Sequence, residues 1–429
     1  MLQIIDLREY ATPPIGGWGI TRPVFDNTQL QQKVKAVLEE VKLNGDAAIR
    51  KFTNQFDGVV LNDFVVSQQE IDDAVHLLSD DLKAAIQQAA ANIRLFHQKQ
   101  LIHPDVVETM PGVKCWRRTV GIEKVGLYIP GGTAPLFSTI LMLGIPAQLA
   151  GCKEVILCSP PNKEGKLHPA ILYAASIAGI QKLYKVGGVQ AIAAMTYGTE
   201  TITKVYKIFG PGNQYVTCAK QLIQQEGVAI DMPAGPSEVC ILADETAKPA
   251  FVAADLLSQA EHGIDSQVVL VTCDEQVVHN VIAELTKQVA VLPRAEIAIK
   301  ALENSKAIIV KDMMQAIDLV NEYAAEHLIL SCFYAEQVGE RIINAGSVFL
   351  GNYSPESVGD YASGTNHTLP TNGFARAYSG VSIDSFVKKI TYQQLSKEGL
   401  KNIGKTVQLM AEAEGLAAHA FAVKVRLEE

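Results

Sequence analysis

Apolar positions recur at helical spacing from Thr28, where Leu30, Val34, Leu38 and Val41 keep to one face, so a first long helix is predicted there. Ser67-Gln-Gln-Glu70 has the form of a capping box and opens a second apolar face at Ile71. From there to about residue 100 the pattern reads as two helices divided near Ser79-Asp-Asp81. The first 22 residues show no such period, and Thr12-Pro-Pro-Ile-Gly-Gly-Trp18 is turn chemistry. Residues 125–152 carry no charge but are broken by Pro130, Pro135 and Pro146 and by several glycines. That predicts a buried strand, a Gly-rich loop and a core helix rather than a membrane span. Short apolar runs follow at 154–158, 183–188 and 205–210, each ending in a turn. A second series lies at 239–242, 268–271, 307–310, 328–330 and 348–350. Helical stretches separate most of them, which predicts two α/β sheets in succession, parallel in type. From about Gln393 the chain reads as helical and rich in alanine.

Length and composition narrow the class. At about 150 residues per domain, 429 residues suggest two to three domains. A hydrophobic fraction of 48% with 19% charged residues excludes a disordered chain. The formal charge of −9 argues against a nucleic-acid partner. The seven cysteines are odd in number and form no C-x-x-C pair, so neither a disulfide scaffold nor a cysteine-rich zinc module is expected. Met1-Leu-Gln-Ile-Ile-Asp6 lacks the form of a signal peptide, and a reducing cytoplasm is the expected compartment.

The nine histidines separate by their neighbours. His76 and His97 lie in polar helical stretches and, with His279, are expected at the surface; His103 and His168 precede prolines and read as turn residues. Three segments hold more chemistry. Ser258-Gln-Ala-Glu-His262 closes an apolar helical run, and two ligands three residues apart can share a metal ion. Spacing alone favours Glu261 over Gln259 as the second ligand, because carboxylates are the commoner donors; a helix end with a favourable histidine is the competing explanation. Glu326-His327 joins a carboxylate and an imidazole before a predicted strand, two proton acceptors of different strength. Gly359-Asp-Tyr-Ala-Ser-Gly-Thr-Asn-His367 is a polar, glycine-flanked loop after another strand, a usual ligand site in α/β proteins. No G-x-G-x-x-G or P-loop is present, but Pro130-Gly-Gly132 and Gly210-Pro-Gly212 are Gly-rich turns at strand ends where backbone can approach a dinucleotide. Among the cysteines, Cys115 stands beside Lys114, Arg117 and Arg118 and is the one candidate thiolate; Cys152, Cys158, Cys240 and Cys273 read as inert core.

At Ile230-Asp-Met-Pro-Ala-Gly-Pro-Ser-Glu-Val-Cys240, continuing to Leu256-Leu-Ser-Gln-Ala-Glu-His262, the sequence resembles the histidinol dehydrogenase family. Supporting motifs span most of the chain: Gly126-Leu-Tyr-Ile-Pro-Gly-Gly-Thr-Ala-Pro135, Gly187-Gly-Val-Gln190, Gly210-Pro-Gly-Asn213, Ala325-Glu-His327, Gly359-Asp360, and Glu414 with His419. The resemblance implies oxidation of L-histidinol to L-histidine by way of L-histidinaldehyde, the last two steps of histidine biosynthesis, with two NAD per turnover and one Zn2+ per subunit. It implies zinc ligation by Gln259, His262, Asp360 and His419, which displaces the preference for Glu261. It further implies that these four residues, with Ser237, His327 and Glu414, contact the substrate, and that Tyr128, Gln190 and Asn213 contact NAD. His327 is expected to take the alcohol proton at each oxidation and Glu326 to deprotonate the water that attacks the aldehyde. Glu414 is expected to hold the far imidazole nitrogen of the substrate, which disfavours a related dehydrogenase acting on a sulfonated diol. A zinc hydrolase without nucleotide and a non-catalytic metal-binding protein are the rivals of other classes. The implied fold is two incomplete Rossmann-like domains, with 1–22 an N-terminal arm, 23–127 and 237–381 the zinc and substrate side, 128–236 the NAD side and 382–429 a C-terminal segment. Family members are homodimers, and the resemblance implies that Glu414 and His419 come from the partner subunit.

Overall fold

The computed structural model describes residues 2–10, 20, 22, 28–101, 105–131 and 135–429. The turn-rich 12–18, His103 and Gly132 to Ala134 of the Gly-rich loop fall outside them. The described chain opens with β1 (Gln3–Asp6), helices α1 (Thr28–Phe52), α2 (Gln68–His76) and α3 (Asp80–Gln98), and strands β2 (Val107–Met110) and β3 (Val113–Gly121). The predicted helices form where expected, and Ser67 and Glu70 exchange the reciprocal bonds of a capping box.

An alternating run follows: β4 (Lys124–Tyr128), α4 (Phe137–Leu149), β5 (Glu154–Ser159), α5 (Pro169–Ile177), β6 (Lys182–Lys185), α6 (Gly188–Tyr197), β7 (Lys207–Phe209), α7 (Gln214–Ile223) and β8 (Ala229–Ile230). Its five strands are parallel in the order β6-β5-β4-β7-β8. The strand order reverses between β4 and β7, and ligands bind such sheets in the crevice outside the carboxyl ends at that point. Helix α4 is apolar all round and its residues 138–147 are buried, which explains the uncharged stretch without a membrane. Among the described residues, no helix is long and apolar enough to cross one.

The second run is β9 (Glu238–Ala243), α8 (Pro249–Ala260), β10 (Gln267–Thr272), α9 (Glu275–Val289), α10 (Ala295–Glu303), β11 (Lys306–Ile309), α11 (Met313–Tyr323), β12 (His327–Ser331), α12 (Ala335–Gly339) and β13 (Ser347–Leu350). Its strands join β1 in a six-stranded parallel sheet, β1-β11-β10-β9-β12-β13. Helices α8 to α10 pack on one face and α11 and α12 on the other, so β9, β10 and β12 are buried throughout and read as unbroken apolar runs. Helix α13 (Glu356–Tyr361), the short α14 (Ile383–Phe386), β14 (Val387–Leu395), α15 (Lys397–Ala413) and α16 (Ala417–Leu427) complete the chain.

The structure departs from the sequence expectations in four places. The N-terminal stretch is not wholly irregular, since Gln3–Asp6 adds an edge strand. Residues 393–395 are strand, not helix: β14 pairs with β3, and β3 with β2, in a separate antiparallel sheet. Residues 28–98, grouped from sequence with 237–381, pack on the five-stranded sheet instead, α1 on α6 and α7, α2 on α5 and α3 on α4. An amphipathic helix shows that it covers something but not which sheet. Finally, His97 is fully buried, with Nδ1 donating to the Ile93 carbonyl at 2.9 Å, whereas His76 is exposed.

Candidate active site

The chemistry gathers at the amino-terminal edge of the six-stranded sheet. Helix α11 ends in a left-handed alanine, Ala324 (φ 54°), a conformation that costs an L-residue roughly 1–2 kcal/mol. It turns the chain so that only Ala325 and Glu326 separate it from β12. Glu326 is buried, and its Oε2 accepts the backbone N–H of Glu238 at 2.8 Å. His327 opens β12 beside β9. Its Nε2 lies 3.1 Å from Asp360 Oδ1, and its Nδ1 lies 3.0 Å from Gln259 Nε2, 3.2 Å from the Glu238 carbonyl and 3.7 Å from Glu326 Oε2. Helix α8 runs back against the sheet, so its last turn delivers Gln259 to this edge and the chain beyond it delivers His262, whose N–H bonds the Gln259 carbonyl. Asp360 was expected in a loop but stands on the one-and-a-half-turn helix α13. Ser237 is the last residue before β9, next to Glu238.

The donor set suits a metal. Gln259 Nε2 donates to the Glu238 carbonyl at 3.1 Å, which fixes the amide so that Oε1 faces the other way, with no hydrogen-bond partner among the described residues. The Oδ2 of Asp360 and the His262 ring are likewise unpartnered there. One imidazole, one carboxylate and one amide oxygen are borderline-hard donors that match zinc. They are three where four are usual, and among the described residues no three His, Cys, Asp or Glu side chains group tightly enough to hold a metal within one chain. Glu414 and His419 are not brought to this cluster. They lie exposed at the end of α15 and in α16, which pack on each other and through α15 on β14 and β2.

Electrostatics match the geometry. Burial pushes the Glu326 carboxyl up to about 8, against the pull of His327 and the Glu238 N–H. Burial opposes charge on His327, but Glu326, Asp360 and Glu356 outweigh it and raise the ring to about 10. Burial also works to raise Asp360, yet the His327 hydrogen bond and the neighbouring histidines hold it below the usual carboxylate range. Burial lowers His262, which keeps an exposed edge, and His367. A carboxyl near 8 is poised to act as a base close to neutral pH.

Two further neighbours join the cluster, His367, which closes the loop singled out from sequence, and Glu356, which was not. His367 Nδ1 lies 2.7 Å from the Asp360 carbonyl and its Nε2 3.0 Å from Thr139 Oγ1 in the first turn of α4. It thereby ties the cluster to the carboxyl end of β4 in the other sheet; its polar, glycine-flanked loop was the signal. Glu356 is buried, accepts the Ser258 hydroxyl at 2.5 Å on Oε1 and leaves Oε2 without a partner. Nothing in the sequence around it marked it.

The expected nucleotide residues lie at the carboxyl edge of the five-stranded sheet. Tyr128 ends β4, is buried, and its hydroxyl accepts the Gly188 N–H at 3.1 Å. Gln190, in the first turn of α6, is fully buried; Nε2 reaches Asp57 Oδ2 at 3.5 Å while Oε1 has no partner. Asn213 caps α7, its Oδ1 accepting the N–H groups of Tyr215 and Val216. The Gly-rich turn after β7 thus flanks the switch point from which these residues are presented, an arrangement that suits the pyrophosphate of a dinucleotide. Thiol chemistry is disfavoured: burial raises Cys152 and Cys273 to about 11 and Cys158 and Cys240 further, and Cys115 lies on β3 in the separate antiparallel sheet.

A family model described as histidinol dehydrogenase matches residues 20–427. A relative from Bacteroides thetaiotaomicron named histidinol dehydrogenase is 59% identical over 408 residues, 95% of each chain. One from rice, Oryza sativa subsp. japonica, named histidinol dehydrogenase, chloroplastic, is 52% identical over 426 residues, 99% of this chain and 89% of its own. The crystal structure of histidinol dehydrogenase from Elizabethkingia anophelis superposes with a TM-score of 0.96 at 55% identity, covering 100% of this chain and 98% of that one.

Proposed function

The chain belongs to the histidinol dehydrogenase family, an oxidoreductase family of histidine biosynthesis, and on that premise we propose that it oxidises L-histidinol to L-histidine in two NAD-linked steps at a zinc site. The observation that supports this most is the cluster at the sheet edge, where His327 meets Asp360 at 3.1 Å and Glu326 at 3.7 Å beside the metal-type donors Gln259 and His262. Gln259, His262 and Asp360 would hold zinc together with His419 from a second subunit, a homodimer that also supplies Glu414. Three donors in one chain, with Glu414 and His419 exposed elsewhere, support that sharing. Substrate would meet the four ligands, Ser237, His327 and Glu414. Tyr128, Gln190 and Asn213 would meet NAD, which makes the five-stranded unit the cofactor side and the six-stranded unit the substrate side. The cytoplasm is the proposed compartment.

Bound zinc would supply a Lewis-acidic anchor for the substrate's imidazole and amine nitrogens and draw Asp360 charge away from His327, and NAD would supply the hydride acceptor for both steps. The chain's own residues move the protons. His327 takes the hydroxyl proton of the alcohol, and later that of the aldehyde hydrate. Its ring is held in place by Nδ1–H donating to the Glu238 carbonyl, so its Nε2 side faces Asp360 and the proposed metal donors. Glu326 removes a proton from water as it adds to the aldehyde; the Glu238 N–H fixes one carboxylate oxygen and leaves the other for the water. Each general-base contribution is worth roughly 10²–10⁴-fold.

The test separates the two steps. Glu326→Gln keeps an acceptor for the Glu238 N–H but cannot take a proton. Oxidation of supplied histidinaldehyde should fall by at least about 10²-fold, and oxidation of histidinol to the aldehyde should fall far less. Equal losses in both would remove Glu326 from the water-activating role.

A further inference from the structure

The Gly210-Pro-Gly-Asn213 turn is held by an ion pair that the reaction scheme does not use. Lys220 and Asp231 are almost wholly buried, with side chains 5% and 1% exposed, and lie 2.5 Å apart. Both also grip Gly210. Lys220 Nζ donates to the Gly210 carbonyl at 2.7 Å, and Asp231 Oδ2 accepts the Gly210 N–H at 2.8 Å. Gly210 stands at φ 124°, and a Cβ there would strike the Tyr128 carbonyl, so the turn passes directly against the end of β4. Behind it lies a void of about 10 Å³, lined by Gly212, Thr217, Lys220 and Met232 among others, room for about one water. The turn is thus packed against β4 on one side and held by the pair through both polar groups of Gly210.

We propose that the Lys220–Asp231 pair is a positioning device for the cofactor, holding the Gly210–Asn213 turn in the shape that receives the NAD pyrophosphate. This rests on the assignment of that turn to NAD. Both polar groups of Gly210 are satisfied by the pair and Asn213 Oδ1 is engaged in the cap, while the backbone N–H of Gly212 and the Asn213 Nδ2 have no partner among the described residues. Asp231 also begins the segment that carries Ser237 into β9, so the same carboxylate ties the cofactor turn to the chain leading to the substrate side.

Replacing a buried ion pair by apolar residues of similar volume often leaves a protein as stable as before, so the double variant Lys220→Met, Asp231→Leu separates positioning from folding. Its expected signature is a KM for NAD raised about tenfold, equivalent to about 1.4 kcal/mol, with KM for histidinol and kcat at saturating NAD within about twofold. An unchanged KM for NAD in this folded variant overturns the proposal. Should it not fold, Lys220→Arg and Asp231→Asn decide by the same readout. Lys220→Arg keeps a donor for the Gly210 carbonyl and should leave KM for NAD near the parent value. Asp231→Asn keeps only the N–H acceptor and should raise it; parental values in both, or equal rises in KM for NAD and for histidinol, overturn the proposal. Asn213→Ala is the control for the underlying assignment: if it leaves KM for NAD untouched, the turn is not the cofactor's and that assignment fails first.

Discussion

A buried imidazole is a liability in acid, and His97 is one. Burial lowers its pKa against the small opposing effect of the Ile93 bond, and its Nε2 has no partner. The unfolded chain binds this proton at about pH 6.5, the folded chain only at lower pH. Between the two the unfolded state holds more protons, so stability is full above pH 6.5 and is lost as pH falls below it. His97→Leu should therefore narrow the drop in Tm between pH 7.5 and pH 5.5 relative to the parent; an equal drop in both would show that His97 is not a source of acid lability. The same residue shows a limit of sequence reading. A histidine with polar neighbours looks exposed, but one helix position decides burial, and i, i+4 contact with Ile93 is visible only once the helix is docked. Gln259 shows another. Carboxylates are commoner ligands than amides, and spacing alone pointed to Glu261; what spacing could not show is that Gln259 gives an N–H to the Glu238 carbonyl, a bond that a carboxylate cannot make.

At the scale of elements, the parallel strands were legible because burial on both faces makes them continuous apolar runs. The β2–β3–β14 sheet was not: β14 is exposed along most of its length and β2 along all of it, so neither shows a buried face. Pairing with β3 across more than 250 residues then defines β14, which no local pattern can show, while β2 pairs with β3 as a local hairpin. The junctions between elements place the residues proposed for catalysis. Glu326 sits between the left-handed Ala324 and β12, and its carbonyl accepts the Ser347 N–H at 2.9 Å. A Cβ on Gly346 would collide with that carbonyl. Gly346→Ala should displace Glu326 with little change elsewhere, and misplacements on the order of 1 Å cost about 10²-fold in rate. The expected outcome is a large fall in aldehyde oxidation by a variant that still unfolds cooperatively; parental rates would mean that Glu326 placement is not critical.

At the scale of the whole molecule, the hydrogen bond between His367 and Thr139 links the cluster at the amino end of the six-stranded sheet to the first turn of α4, which follows β4 of the five-stranded sheet. The proposed cofactor turn follows a strand of the five-stranded sheet and the proposed proton-transferring pair opens a strand of the six-stranded one, so neither sheet alone contains both. The exposed Glu414 and His419 lead to a prediction about assembly. Subunits carrying His262→Asn and subunits carrying His419→Asn should each be inactive as homodimers. Co-assembled at equal amounts in a two-fold dimer, they should recover about a quarter of the parental activity, since half the dimers are mixed and each mixed dimer rebuilds one site. No recovery would place both residues in a site formed by one chain. The account as a whole stands on a single count: NADH formed per L-histidinol consumed by the zinc-loaded protein. Two NADH with L-histidine as the product is the predicted result, because His327 would take the proton at each oxidation and Glu326 would activate the water that joins the two. One NADH with free aldehyde released would contradict it.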